Sequence, residues 1–141
     1  MVFHQFSFNT NQDSPDVEVL DYQYGAQNGW GSYADKRDVA DGRVFPYGGT
    51  AGGMPRPDYL YVKWRIKASG QTYEDKVDLT RRLPADMFNC GVHFVIKQTQ
   101  LYIYLIPPPG IFPALAIRRA ATDEGMVDYL KKHQIYPDQS K

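Results

Sequence analysis

The chain has 141 residues, enough for one domain with its own core and too few for a second. Sixteen Lys+Arg balance sixteen Asp+Glu, so the formal net charge is zero and no global field draws the chain to nucleic acid or an anionic membrane. The single cysteine, Cys90, rules out an internal disulfide, argues against a cysteine-based metal site and fits a small core hydrophobe.

Phe3, Phe6 and Phe8 predict a first strand over residues 2–9, and the turn formers from Asn9 to Pro15 end it. Val17 to Tyr24 predicts a second strand. Its Val17 and Val19 alternate onto the face opposite Leu20, Tyr22 and Tyr24, which a bulge or two-sided burial would reconcile. From Gly25 to Pro57, glycines at 25, 29, 31, 42, 48, 49, 52 and 53 interrupt every period, and only Arg43 to Tyr47 looks strand-like. So long an irregular region is expected to bind something or to move.

Tyr59–Lys67 alternates most clearly: Leu60, Val62, Trp64 and Ile66 form an apolar face, and Tyr59, Tyr61, Lys63, Arg65 and Lys67 form one for water or a partner. After a turn at Ala68–Gln71, Thr72–Leu79 returns to make a hairpin, with Lys63 and Arg65 able to face Glu74 and Lys76 or Asp78. Leu83 to Asn89 is expected as a helical turn with Pro84 near its start. Val92–Lys97 and Leu101–Ile106 predict a second hairpin, stopped by Pro107-Pro108-Pro109-Gly110. Met126, Val127 and Leu130 recur at helical spacing, with Asp123 and Glu124 before them and Lys131, Lys132 and His133 after, which suits a C-terminal helix. Ile135 to Asp138 reads as a short closing segment.

The sum is one domain, residues 1–141: a β-rich α+β fold with an antiparallel sheet or sandwich of about six strands and a C-terminal helix. The longest apolar run, Leu101 to Pro109, is far below the roughly 20 residues that span a bilayer. No signal-like segment follows Met1. The expected setting is therefore the cytoplasm, or the periplasm if an export segment has been removed.

Chemistry is sparse. His4, His93 and His133 lie in three elements without zinc spacing, and nothing in the sequence pairs His93, expected on an outward strand face, with a nucleophile. The run Gly48-Gly49-Thr50-Ala51-Gly52-Gly53 lacks the Gly-Lys-Ser/Thr of a phosphate loop and reads as a flexible turn. Glu74, Asp75 and Asp78 read as a solvated hairpin face rather than a glycosidase pair. No catalytic residue, metal site or cofactor is expected, and an enzyme is the weakest reading.

The aromatic content is high, at eleven Tyr, seven Phe and two Trp. Trp30 and Tyr33 fall in the irregular region beside Asp35, Arg37 and Arg43. Large rings among both charge signs are what protein interfaces favour, so these five residues are the expected partner-binding set. The competing reading is that the rings pack the loop onto the sheet.

Five motifs occur in order: Leu20-Asp21-Tyr22-Gln23-Tyr24-Gly25, the glycine-rich segment, Leu60-Tyr61-Val62-Lys63-Trp64-Arg65, Tyr73–Leu79 with Arg81-Arg82-Leu83-Pro84, and Gln100-Leu101-Tyr102-Ile103-Tyr104-Leu105. Together they resemble small exported or lipid-anchored immunity proteins of Gram-negative bacteria, which neutralise effectors of the type VI secretion system, phospholipases among them. The resemblance spans about residues 20–106 plus Ile135–Asp138 and lacks a signal or lipobox cysteine. It implies a periplasmic protein without a cofactor, binding a cognate toxin over its active site or substrate access. The alternatives are a glycan- or small-molecule-binding module and a structural subunit of an envelope complex.

Overall fold

Alternation along the strands is the main organiser of the chain. The computed structural model describes residues 2–26, 31–106 and 133–137. In chain order these hold β1 (Val2–Asn9), the single helical turn α1 (Thr10–Asp13), β2 (Val17–Gly25), β3 (Gly31–Tyr33), the short helix α2 (Lys36–Ala40), β4 (Tyr47–Met54), β5 (Tyr59–Ile66), β6 (Thr72–Asp78), β7 (Gly91–Lys97), β8 (Gln100–Ile106) and β9 (Gln134–Tyr136). They form a five-stranded sheet, order β4-β1-β7-β8-β9, and a four-stranded sheet, order β3-β2-β5-β6. The fold is thus β-rich, as the sequence predicts. Three strands go beyond the expected six, and the β1–β7 pairing is parallel in an otherwise antiparallel arrangement. The expected helix around Met126–Leu130 lies outside the described residues.

The sheets share one core. Phe6 and Phe8 of β1, Phe94 and Ile96 of β7 and Ile103 of β8 meet Val19, Tyr22 and Tyr24 of β2 and Leu60, Val62 and Trp64 of β5. Ring geometry sets the inner layer: Phe6 stacks on Tyr24 at 4.4 Å and 12°, and Phe8 on Phe94 at 4.6 Å and 19°. The predicted face switch in β2 is a register shift between Val19 and Asp21, so Val17 and Val19 as well as Tyr22 and Tyr24 point inward. The second hairpin pairs Gly91 with Ile106 and Lys97 with Gln100. It also departs from simple alternation: Val95, Tyr104 and Ile106, on the face away from the main core, form a second buried cluster. Fully buried His93 lies on that same side of β7, where the sequence led us to expect an outward, bland residue.

Two further expectations fail for identifiable reasons. The glycine-rich run is a strand, not a turn: β4 pairs with all of β1, from Val2↔Met54 to Asn9↔Tyr47. Glycine hides the strand because it supplies no side-chain period, yet the backbone calls for it at the positive-φ positions Gly49 and Gly52, and packing adds to the demand at the first. Gly49 has φ +141°, and a Cβ there would sit 2.1 Å from the Phe6 carbonyl oxygen. Arg43–Tyr47, expected as strand, contributes only an isolated bridge from Phe45 to Val19 before β4 begins.

The second failure is Leu83–Asn89, which is not helical. Its carbonyls are drawn to Arg56 instead. The guanidinium donates to the oxygens of Thr80 (2.7 Å), Leu83 (2.8 Å) and Pro84 (3.0 Å). This holds a loop that delivers Leu83 and Met87 to the core.

Candidate functional site

The cross-strand register of β3-β2-β5-β6 fixes what its outer face displays. Inward residues are mostly apolar, with Ser32 and Asp75 the exceptions, so every second residue faces out, and the pairs Tyr33↔Gln23, Gln23↔Tyr61 and Tyr61↔Lys76 form one row across the sheet. A second row holds Gly25, Tyr59 and Asp78, a third Asp21, Lys63 and Glu74, and a fourth Glu18, Arg65 and Thr72. Tyr33, Tyr59 and Tyr61 therefore share one partly exposed surface with alternating charges.

Local bonds hold these rings in place. Tyr59 Oη donates to Gln23 Oε1 at 3.1 Å, and Tyr61 Oη to Glu74 Oε2 at 2.6 Å. The Tyr61 hydroxyl is held well above its usual pKa by burial and by the Glu74 carboxylate that its proton serves. Lys76 Nζ lies 4.6 Å from the centre of the Tyr59 ring, a cation–π distance. The phenol of Tyr33 leans over Gly25, where a Cβ would be 2.5 Å from its oxygen and 3.1 Å from that of Tyr59. Glycine at 25 thus lets two hydroxyls converge.

Two open clefts flank the rings. One, of about 460 Å³, is lined by Asp21, Gln23, Tyr33, Ala34, Lys36 and Val39. The other, of about 400 Å³, is lined by Asp58, Tyr59, Lys76, Asp78 and Thr80. Within the first, burial raises the Asp21 pKa, while the Tyr22 backbone and then the charge of Lys63 pull it back. Asp21 is thus a partly desolvated carboxylate with a cation opposite it. Arg65 donates to Glu18 through Nε, at 3.1 Å, and through a terminal nitrogen. It faces Thr72 across the hairpin, whereas Lys63 faces Glu74 as anticipated.

The expected partner-binding residues divide. Tyr33, 39% exposed, lines the larger cleft. Asp35 is occupied as the N-cap of α2, accepting from the backbone nitrogens of Arg37 (2.8 Å) and Asp38 (3.2 Å). Arg37 is exposed within α2, and Arg43 pairs with Asp38 at 3.6 Å on the surface. Trp30 lies outside the described residues. Tyr59, Tyr61 and Lys76 were not among the five, although the odd-numbered face of Tyr59–Lys67 was already legible as a face for water or a partner.

On the other sheet, the parallel β1–β7 register brings Ser7 opposite His93, with Ser7 Oγ 2.9 Å from His93 Nδ1. The sequence separation of 86 residues conceals this pair. Its imidazole is fully buried, which denies it a substrate's leaving group, so the contact fits a cross-strand polar tie better than a nucleophile and base.

No family model, curated protein or solved structure matches the chain. Among the described residues, no helix is long and apolar enough to cross a membrane.

Proposed function

We propose that this protein acts by binding another protein across the outer face of β3-β2-β5-β6, and that it is not an enzyme. The observation that carries this reading is the convergence of Tyr33, Tyr59 and Tyr61 with Asp21, Lys63, Glu74 and Lys76 on one sheet face between two clefts. Tyrosines give large contact area, and here Tyr59 and Tyr61 are already tethered, so docking would cost little further rotamer entropy. The alternating charges suit register and partner choice more than raw affinity.

Combined with the motif resemblance, the partner is a type VI effector, in the phospholipase case covered at its active site or substrate access, and the setting is the periplasm. The test is co-expression with the toxin encoded beside the gene, followed by alanine substitution at Tyr33, Tyr59 and Tyr61. An anchor tyrosine should weaken the complex by about 2 kcal/mol or more and abolish protection of the cell. Undiminished protection by folded variants would place the interface elsewhere. Binding to a glycan with no affinity for the toxin would favour a carbohydrate-binding module.

A further inference from the structure

The four-stranded sheet supplies the surface above; the five-stranded sheet ends in an edge with different properties. Among the described residues, no strand lies beside the side of β4 away from β1. Gln5 donates its backbone N–H to Cys90, and the Phe3 carbonyl accepts from Asn89, so the odd residues of β1 turn their backbone groups away from β4. By the antiparallel alternation, their partners Tyr47, Gly49, Ala51 and Gly53 turn theirs outward, and all four are exposed. Among the described residues nothing accepts from or donates to this outward row.

Proteins usually protect such an edge with charge, proline, a bulge or a short length. From Tyr47 to Met54 there is no charged residue and no proline, and the strand is eight residues long. Tyr47 at one end is 67% exposed, while at the other end a Cβ on Gly53 would meet nothing within 4 Å. An aromatic residue placed across from a strand glycine covers the backbone that the glycine leaves bare.

We infer that β4 pairs antiparallel with β4 of a second copy of this chain about a two-fold axis at Thr50, joining two five-stranded sheets into one. In that register Tyr47 of one copy lies across from Gly53 of the other, and Gly49 across from Ala51. The four outward residues therefore meet as hydrogen-bonded pairs, and both tyrosine rings cover glycine backbone. The uncharged segment is self-complementary, since no like charges face each other across the axis.

The register is tested with the full chain. Thr50 of each copy would form a non-hydrogen-bonded pair with Cα atoms about 4.5 Å apart, a separation a disulfide can bridge. Thr50→Cys should give a covalent dimer under mild oxidation. Gly53→Cys, far from its symmetry mate, should not. Light scattering and sedimentation should show a dimer that grows with protein concentration up to about 1 mM, the range of a weak complex. Ala51→Lys, which places a cation on the exposed edge, should weaken dimerisation by about tenfold or more while the circular dichroism stays unchanged. The proposal is overturned if the unmodified chain stays monomeric over that range. It is equally overturned if a dimer forms that ignores Ala51→Lys, or if Gly53→Cys crosslinks as readily as Thr50→Cys.

Discussion

His4 and Tyr24, from opposing sheets, meet inside the sandwich with Nε2 3.1 Å from the phenol oxygen. His4 Nδ1 lies 3.2 Å from the carbonyl of Val2, which can only accept, so Nδ1 carries the proton. Nε2 is then the acceptor and Tyr24 the donor. The neutral imidazole completes this chain of bonds, and an imidazolium would turn a second donor onto the hydroxyl. Burial lowers the pKa of His4 from its ordinary 6.5 and strongly raises that of Tyr24.

This pair predicts acid sensitivity. Well above pH 6.5 His4 is neutral in the folded and unfolded chains, and its titration adds no slope. Below that value the unfolded chain takes up a proton that the folded one refuses, so stability falls with pH until the folded pKa is reached. His4→Gln should flatten the dependence of the urea midpoint on pH in the window just below 6.5. A slope there that is the same with and without His4 would assign the sensitivity to another group.

Trp64 is 1% exposed, lies 6.2 Å from the Tyr73 ring, and donates Nε1–H to the carbonyl of Gln98 at 2.9 Å. It thereby ties β5 of one sheet to the β7–β8 turn of the other. Trp64→Ala should cost about 3–5 kcal/mol, enough to unfold much of a marginal domain. Trp64→Phe keeps most of the apolar volume and should lose roughly 1–3 kcal/mol, because the Gln98 oxygen is left without its donor. Thermal and denaturant melts of the two variants check both values.

What was legible in the sequence follows from how each element carries its signal. β5 alternates cleanly, since one face meets the core and the other meets water, and although β6 is mixed, with Asp75 on its inward side, their hairpin was readable to the turn. The inward set Leu60, Val62, Trp64 and Ile66 came with it. β4 was not readable, because its pairing rests on backbone bonds and on Gly49 fitting against Phe6. A hydrophobicity pattern records neither. The loop at Leu83–Asn89 was misjudged as helical because its conformation depends on Arg56, far away in sequence. For the site, Tyr33 could be found from composition, but its union with Tyr59 and Tyr61 depends on the β2–β5 register, which pairs Gln23 with Tyr61 and Gly25 with Tyr59. Asp35 looked available to a partner only because its capping role is a matter of local backbone geometry.

The glycines of β4 should separate under substitution. Gly49→Ala forces a Cβ against the Phe6 carbonyl at a φ that side chains avoid, and should cost about 1–3 kcal/mol. Gly53 has open space and no positive φ, so Gly53→Ala should be neutral or stabilise by about 0.4–1 kcal/mol through the unfolded chain. Equal effects at the two positions, read from urea unfolding at dilute protein concentration, would contradict the assigned β1–β4 register.

Arg56 should prove a structural residue although it is charged and only half-buried. Its fork spans three carbonyls, those of Thr80, Leu83 and Pro84, and a planar guanidinium can serve all three where an ammonium cannot. Arg56→Ala leaves partly buried oxygens without donors and frees the loop that carries Leu83 and Met87 into the core, so the loss should be about 2–4 kcal/mol. Arg56→Lys should recover only part of it. Amide exchange adds a readout that charge alone would not move: Arg82, Leu83 and Cys90, whose N–H groups bond to Leu79, Leu79 and Met87, should exchange faster in both variants. If Arg56→Lys matches the unmodified protein in stability and in exchange at these three amides, the guanidinium fork does not hold this loop.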